Sequence, residues 1–439
     1  MKKYLVIGLG QTGLSLLTFL QKHQEKAIAF DTRTTLPNLD AIKKQFQCPC
    51  YLQTLPDSAW PDISEVLVSP GVDLQHPVIL KAQSLGLSVI GDIELFYRKA
   101  QAPIIAITGT NAKSTVTSLT TQMIQACGKT VLMGGNIGIP ALELLEYPTP
   151  DFYVLELSSF QLDLVRNFKA KVAVVLNLSP DHLDRHHTME AYQQAKERIY
   201  FHCPHPIFNR AMHYFSTQKP AFTFGLSAPD ENNAWGILDD HLALGQQKLL
   251  PVNALSSGLS GHHNLENALS ALALISPLHL PLAPQIQVLR HFQGLPHRCV
   301  LVKTVNQVAW YNDSKGTNVG ATLAAIKGIA AKTAGPLVLL LGGLAKDQDF
   351  TPLRDAIQQH VHQVIVYGQD RQKILTDLQG LPCLDMGMDF IAALKQAKNS
   401  AKAGGAVLFS PACASMDLFK NYEDRGEQFT QWVLLAIDQ

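Results

Sequence analysis

Residues 104–115 read IIAITGTNAKST, and this stretch decides how the chain folds. Its apolar half predicts a buried parallel strand, and residues 116–127 predict the helix that follows the loop. Backbone N–H groups at a helix start bind phosphate, and Lys113 is placed to contact the outer phosphates of a nucleotide. The next hydroxyl, on Ser114 or Thr115, suits Mg²⁺. The stretch therefore predicts a site for a nucleoside triphosphate.

The loop departs from the strict phosphate-binding pattern G-x-x-x-x-G-K-[ST] at two positions, which Ile107 and Ala112 occupy. It is a shorter variant, and a surface turn with a Lys-Ser pair is the alternative interpretation. The strand before the loop and the helix after it favour the nucleotide site. We expect a negative φ at Ala112, because a positive φ there costs on the order of 1 kcal/mol.

The composition excludes several classes of protein. The chain has 439 residues, which is too long for one hydrophobic core and predicts about three domains. Lys plus Arg equals Asp plus Glu at 36 each, so no overall field attracts nucleic acid or an anionic membrane. The seven cysteines lack metal-ligand spacing, and no apolar run reaches the roughly 18 residues that cross a bilayer. We expect a soluble cytoplasmic monomer with reduced thiols and no nucleic-acid or membrane partner.

Short apolar strands alternate with helical patterns along nearly the whole chain, apart from a less regular part around residues 222–261. This alternation is typical of parallel sheets in doubly wound α/β folds. We predict three such domains, at residues 1–91, 92–295 and 296–439. Ligands of this fold class bind beyond the carboxyl ends of strands, and the polar clusters of this chain each follow a predicted strand.

Residues 8–13 read GLGQTG, a G-x-G-x-x-G pattern directly after a predicted strand, and Asp31 ends the next strand. Such glycines let the backbone approach a diphosphate, and the carboxylate binds ribose hydroxyls. The same physics serves NAD, another nucleoside diphosphate such as a nucleotide sugar, or a tight turn without a ligand. The pattern alone leaves these interpretations open.

Other polar residues also follow predicted strands. Glu156 has the position of a Mg²⁺-binding carboxylate, although a helix-capping role fits its spacing equally well. Residues 177–187 concentrate ionisable groups without zinc-ligand spacing and favour phosphate or Mg²⁺ contacts. Lys196 lies in a helical pattern whose spacing predicts a solvated lysine. Three later loops carry lysines and hydroxyls that suit an anionic amino acid or a phosphate, with surface turns as the alternative, at residues 312–318, 342–346 and 410–417.

Nine motifs occur in an order that resembles the Mur ligase family: ITGTNAKST, GGNIG, ELSSFQL, DHLDRH, GHHNLENAL, GLPHR, NDSKGTN, LGGLAK and SPACASMDLF. The resemblance extends from Gly8 to Phe429. Within the family, NDSKGTN and SPACASMDLF are similar to the branch that adds D-glutamate. The resemblance implies a Rossmann-like N-terminal domain, a central P-loop ATPase-like domain and a Rossmann-like C-terminal domain.

The resemblance also implies roles for particular residues. The UDP-sugar substrate would contact Gly10, Gln11, Thr12, Asp31, Thr32, Arg33, Ser69, Pro70, Gly71 and Asn136. ATP would contact Gly109, Thr110, Asn111, Ala112, Lys113, Ser114, Thr115, Asn264, Asn267, Arg298 and Asp313. Two Mg²⁺ ions would be held by Ser114, Thr115, Glu156, His182 and Lys196, the last as a carbamate formed with CO₂. D-Glutamate would contact Thr317, Lys346, Ser415, Met416 and Tyr422, and the catalytic residues would be Lys113, Glu156, His182, Lys196 and Lys346.

The implied reaction joins D-glutamate to UDP-N-acetylmuramoyl-L-alanine for peptidoglycan synthesis. The alanine carboxylate first attacks the γ-phosphate of ATP, and the amine of D-glutamate then attacks the resulting acyl phosphate. Two other classes remain alternatives. One is a different ligase, either another Mur ligase or a folylpolyglutamate-type enzyme, against which the G-x-G-x-x-G domain argues. The other is a catalytically silent nucleotide-sugar-binding protein, against which the intact Lys113, Glu156, His182 and Lys196 argue.

Overall fold

The computed structural model describes residues 3–259, 261–345 and 347–435, whose strands form three sheets. The chain divides into two compact units. The first consists of Met1–Leu178, Glu190–Ala254 and Glu266–Arg290, and the second of Ser179–Met189, Leu255–Leu265 and His291–Gln439. The first unit contains two of the sheets and the second unit contains one. Among the described residues, no helix combines the length and the apolar character that crossing a membrane requires.

The first sheet has five parallel strands in the order β3-β2-β1-β4-β5. They are β1 (Lys3–Ile7), β2 (Ala27–Asp31), β3 (Cys50–Leu52), β4 (Ile63–Val68) and β5 (Ser88–Ile90), with helices α1 (Gln11–Lys22), α2 (Leu39–Phe46), α3 (Pro77–Ser84) and α4 (Asp92–Lys99). Val6 of β1 packs with the apolar residues of α1, and Leu5 and Ile7 pack with those of α3. The strand order reverses between β1 and β4, which is where doubly wound sheets bind ligands.

The second sheet has nine strands in the order β14-β13-β12-β11-β10-β9-β6-β8-β7. They are β6 (Ile104–Thr108), β7 (Val131–Gly135), β8 (Phe152–Glu156), β9 (Val172–Val175), β10 (His205–Asn209), β11 (Phe222–Phe224), β12 (Ala234–Leu238), β13 (His241–Leu244) and β14 (Gln247–Pro251). The helices of this part of the chain are α5 (Lys113–Ala126), α6 (Ser159–Leu162), α7 (Leu183–His186), α8 (Met189–Glu197), α9 (His262–Ile275) and α10 (Leu282–His291). In the order of the sheet, all neighbouring strands from β12 through β6 to β7 pair in parallel. The pairs β12–β13 and β13–β14 are antiparallel. The wholly buried β6 delivers the phosphate loop to the carboxyl edge of this sheet.

The sheet of the second unit has six strands in the order β15-β16-β20-β17-β18-β19. They are β15 (Val300–Val305), β16 (Val308–Asn312), β17 (Leu337–Gly342), β18 (Val361–Tyr367), β19 (Cys383–Asp385) and β20 (Ala406–Phe409). The helices are α11 (Val319–Ala330), α12 (Arg354–His360), α13 (Arg371–Asp377), α14 (Phe390–Ser400) and α15 (Tyr422–Leu435). All neighbours pair in parallel except β15, which is antiparallel to β16. The loops after β16 and β20 therefore leave the sheet at the same edge.

Helix α4 follows the first sheet and carries two buried carboxylates. Glu94 accepts the backbone N–H groups of Arg166 and Asn167 at 2.8 and 2.9 Å. Asp92 Oδ2 accepts a hydrogen bond of 3.1 Å from the side-chain amide of Gln161. Burial raises the pKa of Asp92 to about 6, so the folded protein holds this proton more tightly than the unfolded chain does.

The substitution Asp92→Asn should stabilise the protein at neutral pH. The Asp92 carboxyl has an ordinary pKa of 3.8 and a folded pKa of about 6, so its contribution to stability is present at low pH and is lost as the pH rises through 6. Asparagine stays neutral and keeps an oxygen for Gln161. We expect the free energy of unfolding in urea to rise by on the order of 1 kcal/mol near pH 7.5, and to be unchanged near pH 4. An equal change at both pH values would contradict this.

Candidate active site

The G-x-G-x-x-G loop after β1 has the close packing that its glycines allow. A Cβ on Gly13 would lie 1.8 Å from the carbonyl oxygen of Gly8, so no other residue fits there. A Cβ on Gly10 would meet no atom within 4 Å, which leaves open space beside the start of α1. Ser69 Oγ donates to the Gly8 carbonyl at 3.0 Å and joins the loop after β4 to this loop. The loop therefore has room for a ligand on the side of Gly10.

Asp31 connects the end of β2 to the glycine loop. One carboxylate oxygen accepts the backbone N–H of Leu9 at 2.7 Å, and both oxygens accept bonds of 2.8 Å from the Arg33 guanidinium. Burial acts to raise the pKa of Asp31, but these hydrogen bonds outweigh it and the pKa lies below its ordinary value. Arg33 is half exposed, so its outer face is accessible. Asp31, Arg33, Ser69 and Gly10, all predicted for the UDP end, thus belong to one connected edge of the first sheet.

The phosphate loop joins β6 to α5, which begins at Lys113, three residues earlier than predicted. Lys113 Nζ donates to the carbonyl oxygens of Gly109 and Thr110, both at 2.9 Å. Asn177, two residues after the neighbouring strand β9, accepts the backbone N–H of Asn111 at 2.8 Å and donates to its carbonyl at 3.2 Å. The sequence analysis placed Asn177 in a polar loop but predicted no individual role for it. A contact with the backbone of another loop produces no recognisable spacing in the sequence.

The prediction of a negative φ at Ala112 is wrong. Ala112 has φ +66° and ψ −6°, the left-handed conformation, directly before the helix begins. Glycine is usual at such a position because it lacks a Cβ that crowds the backbone. The loop keeps the conformation of a glycine-containing phosphate loop, and the surrounding contacts hold the alanine in it at a cost of about 1 kcal/mol.

Two substitutions at Ala112 should have opposite effects. Ala112→Gly relieves the left-handed strain but gives the unfolded chain more freedom, so we expect the free energy of unfolding to rise by less than about 1 kcal/mol. Ala112→Val adds a β-branch at positive φ and should lower it by about 1–2 kcal/mol. Urea denaturation measures both changes. Equal stability of the two variants would show that the left-handed conformation is not required here.

Lys196 is 2% exposed, so the prediction from its spacing that it is a solvated helix lysine is wrong. Its Nζ donates to the carbonyl of Gly109 at 2.9 Å and lies 4.5 Å from the centre of the Tyr192 ring. Tyr192 in turn exchanges a hydrogen bond of 3.2 Å with Thr110. Helix α8 therefore turns its lysine onto the phosphate loop, and Lys113 and Lys196 share one carbonyl as acceptor. Helical periodicity does not reveal this, because α8 packs against a loop instead of facing solvent.

Glu156 ends β8 and is 2% exposed. Its Oε1 accepts a hydrogen bond of 2.8 Å from the Asn136 amide, which brings a residue predicted for the muramoyl substrate beside one predicted for Mg²⁺. A Cβ on Gly135, which has φ +101°, would lie 2.4 Å from the Glu156 carbonyl oxygen, so the GGNIG turn packs tightly here. The helix that follows is capped by Ser158. The capping role considered for Glu156 is therefore filled by another residue.

The second unit contains His182 and part of the predicted nucleotide contacts. His182 Nε2 lies 3.7 Å from Asp181 Oδ2, and the same oxygen accepts a hydrogen bond of 3.2 Å from Asn318. Asn264 and Arg298 line a cavity of about 410 Å³, whose other polar lining residues include His263, Tyr311 and Lys332. Asn267 belongs to the first unit, where it is buried.

Asp313 follows β16 and is buried. Its carboxylate accepts the Ser410 hydroxyl at 2.7 Å and the backbone N–H of Cys299 at 3.1 Å. Burial raises the pKa of Asp313 to about 6, although Ser410 and the nearby Arg298 partly offset this. The Asp313 carboxylate thus joins the loop after β16 to the loop after β20.

Of the residues predicted for D-glutamate, Thr317, Ser415 and Met416 lie on loops at the carboxyl edge of the last sheet. Ser415 is buried, Met416 is 69% exposed, and Tyr422 begins α15. Lys346 lies outside the described residues. Lys315, a loop lysine that suits an anionic amino acid or a phosphate, has its Nζ 3.6 Å from the centre of the Tyr422 ring. The NDSKGTN motif contains this lysine, so the signal was present, but only the structure shows it beside Tyr422.

The predicted Mg²⁺ ligands have suitable chemistry. Among the described residues, no group of three or more His, Cys, Asp or Glu side chains could hold a metal ion by itself. A hard cation that keeps most of its water ligands needs fewer protein groups, and it prefers oxygen. In the first unit, the Glu156 carboxylate and the hydroxyls of Ser114 and Thr115 offer such oxygens. These residues fit Mg²⁺ better than zinc.

The fold and the phosphate loop define a nucleotide-binding α/β protein with doubly wound sheets. Three family models match the chain: "Mur ligase MurD-like, N-terminal domain" at residues 2–91, "Mur ligase middle domain" at 107–275 and "Mur ligase, glutamate ligase domain" at 297–413. The chain belongs to the Mur ligase family, and it has the three α/β domains of that family.

Relatives extend this result over the whole chain. The chain is 43% identical to the UDP-N-acetylmuramoylalanine–D-glutamate ligase of Legionella pneumophila (strain Paris), over 98% of both chains. It is 40% identical to the ligase of the same name from Coxiella burnetii (strain RSA 331), again over 98% of both. The MurF ligase of Thermotoga maritima, solved in complex with ADP, shares the fold with a TM-score of 0.60 and 15% identity, over 100% of this chain and 96% of that one.

Proposed function

We propose that this protein joins D-glutamate to UDP-N-acetylmuramoyl-L-alanine with ATP, releasing ADP and phosphate, in the synthesis of peptidoglycan precursors. The observation that carries the proposal is identity of 40–43% with D-glutamate ligases over 98% of the chain. The phosphate loop supports it, because two lysines, Lys113 and Lys196, both bind the Gly109 carbonyl. The enzyme is proposed to act as a cytoplasmic monomer on small-molecule substrates.

The first chemical step makes a carboxylate reactive. The alanine carboxylate attacks the γ-phosphorus of ATP, the bond to the β-phosphate oxygen breaks, and an acyl phosphate and ADP result. Lys113 leaves its carbonyl acceptors on the loop and contacts the outer phosphates, where it offsets the negative charge that accumulates. The N–H groups at the start of α5 do the same. Bound Mg²⁺, held by Glu156, His182 and the hydroxyls of Ser114 and Thr115, would supply further charge neutralisation.

The second step forms the amide bond. The amine of D-glutamate attacks the acyl carbon, and the tetrahedral intermediate collapses with loss of phosphate and a proton from the amine. Thr317, Ser415, Met416 and Tyr422, together with Lys346, would hold D-glutamate in position. Alignment of the two reactants supplies much of the acceleration, because it converts a bimolecular reaction into an intramolecular one.

The N-terminal sheet is proposed to hold the UDP end of the substrate. Asp31 and Arg33 form a charged edge beside the glycine loop, and Gly10 leaves space for a diphosphate. Thr32 adjoins this edge in sequence, and Gln11 and Thr12 begin α1, where N–H groups favour phosphate. Pro70 and Gly71 follow Ser69 in the adjacent loop. Asn136 is proposed to contact the muramoyl-alanine end from its position beside Glu156.

Lys196 is proposed to react with CO₂. The ammonium group first loses a proton, the uncharged amine attacks the carbon of CO₂, a C–N bond forms and a second proton leaves, so the cation becomes an anionic carbamate. The hydrogen bond of Lys196 to the phosphate loop supports this proposal, because it places the amine at the loop where ATP and Mg²⁺ are proposed to bind. The carbamate would be a further oxygen ligand for Mg²⁺.

An assay of phosphate release tests the proposal. The protein is incubated with ATP, Mg²⁺ and UDP-N-acetylmuramoyl-L-alanine, with D-glutamate, with L-glutamate, or with neither. We expect sustained release of phosphate only with D-glutamate, and an amide product of matching mass. Equal release without the amino acid would eliminate the proposal. In a parallel incubation with a pterin in place of the UDP-sugar, ligation of L-glutamate would support the folylpolyglutamate alternative. UDP-sugar binding without any turnover would support a silent binding protein.

A further inference from the structure

Arg425 of α15 is completely buried, and its guanidinium joins two loops of the second unit. Nε and one Nη donate to Ser314, at 3.0 Å to its hydroxyl and 2.8 Å to its carbonyl. The other Nη donates to the carbonyl of Cys413 at 3.0 Å. Ser314 lies in the loop after β16, and Cys413 lies in the loop after β20. One side chain therefore fixes the distance between the two loops that carry Thr317 and Ser415.

The same contacts reach Tyr422. The Ser314 hydroxyl that accepts from Arg425 donates to the Tyr422 carbonyl at 2.8 Å. The backbone N–H of Ser314 donates to Asn312 Oδ1 at 3.0 Å, and the Asn312 amide donates to the Gly426 carbonyl at 2.8 Å. The end of β16, the loop after it and the start of α15 thus form one hydrogen-bonded network with Arg425 at its centre.

The charge of Arg425 is unusual for its surroundings. Its acceptors are the neutral oxygens of Ser314 and Cys413, and within the described part of the chain it donates no hydrogen bond to a carboxylate. A buried cation without a carboxylate is costly, because it gives up hydration that neutral carbonyls replace only in part. Its field is correspondingly poorly screened at the adjacent loops. The positive charge of Arg425 would therefore stabilise an anionic ligand between those loops without direct contact.

We propose that Arg425 is a positioning residue for the amine substrate: it holds the loops after β16 and β20 at the separation that D-glutamate needs and supplies positive potential to the substrate's carboxylates. The inference rests on the proposed function. It predicts that loss of the guanidinium raises the KM for D-glutamate far more than the KM for ATP or for the UDP-sugar.

Steady-state kinetics of Arg425→Lys and Arg425→Met test this. Lysine keeps the charge but cannot reach both loops, and methionine keeps an apolar stem without the charge. We expect the KM for D-glutamate to rise about 10-fold in the lysine variant and about 100-fold in the methionine variant, with the KM values for ATP and UDP-N-acetylmuramoyl-L-alanine within about 2-fold of wild type. If the methionine variant does not fold, the lysine variant still decides the question.

Arg354 provides a matched control, because its guanidinium also donates to two backbone carbonyls of the second unit, those of Asp377 and Gln379. Arg354→Met should lower the melting temperature and leave the KM for D-glutamate unchanged. A folded Arg425→Lys variant with wild-type KM for D-glutamate, or one whose three KM values rise together, would overturn the inference. Wild-type protein that turns over without D-glutamate would instead contradict the proposed function, so the two failures are distinguishable.

Discussion

Lys196→Ala should reduce ligase activity by about 10²- to 10³-fold while the protein stays folded. The side chain is buried against the phosphate loop, where its Nζ donates to the Gly109 carbonyl, so its removal empties a space beside the predicted phosphates. If Lys196 acts as a carbamate, the variant lacks an anion. A short carboxylic acid such as acetate fits the vacated space and should restore part of the rate, measured as D-glutamate-dependent phosphate release.

Lys196→Arg separates the carbamate from a simple cationic role. Arginine keeps a positive charge and N–H donors for the Gly109 carbonyl, but it cannot form a carbamate, because its guanidinium does not lose its proton. We expect it to be as inactive as the alanine variant, and acetate should not rescue it because the space remains filled. Near-normal activity of Lys196→Arg would show that the hydrogen bond to the loop is what matters. Lys129→Ala is the control, since its exposed contact with Asp151 contributes little.

The fold could be predicted from sequence because its signals are local. The apolar strands that end in glycine, asparagine or aspartate, such as β6 before Gly109 and β2 at Asp31, occur where their patterns predict them. The short strands β11 to β14 were less visible, because each is brief and separated from the next by polar turns. Strand pairing over long distances, such as β6 between β8 and β9, follows from the fold class and not from any single segment.

The candidate site was predictable in its loops but not in its contacts. Lys113 could be predicted because it follows a strand and a short loop, and Glu156 could be predicted because it ends a strand. Lys196 could not, because the face of α8 that is buried depends on where the phosphate loop lies, and its spacing alone indicates solvent. The prediction of φ at Ala112 failed for a related reason. Alanine by itself prefers a negative φ, and the contacts of the loop override this preference. Arg425 had no signal at all, since its partners are backbone carbonyls and a serine far away in sequence.

The second large effect should come from Glu156→Gln. Glutamine keeps the oxygen that accepts the Asn136 amide, so the contact of 2.8 Å can persist while the negative charge is lost. A Mg²⁺ ligand that loses its charge binds the ion more weakly, whereas a purely structural residue tolerates this change. We therefore expect kcat to fall by about 10²-fold and the Mg²⁺ concentration for half-maximal activity to rise, with partial recovery at high Mg²⁺.

The control for charge alone is Glu143→Gln, on an exposed residue of the same sheet region, which should leave both quantities unchanged. The stability of Glu156→Gln is informative too, because a buried carboxylate is costly without a cation and its neutral counterpart is not. If Glu156 exists to bind Mg²⁺, the variant should be at least as stable as wild type in EDTA and yet less active with Mg²⁺. A variant that is destabilised in EDTA and fully active with Mg²⁺ would mean that Glu156 supports the GGNIG turn and has no part in binding the ion.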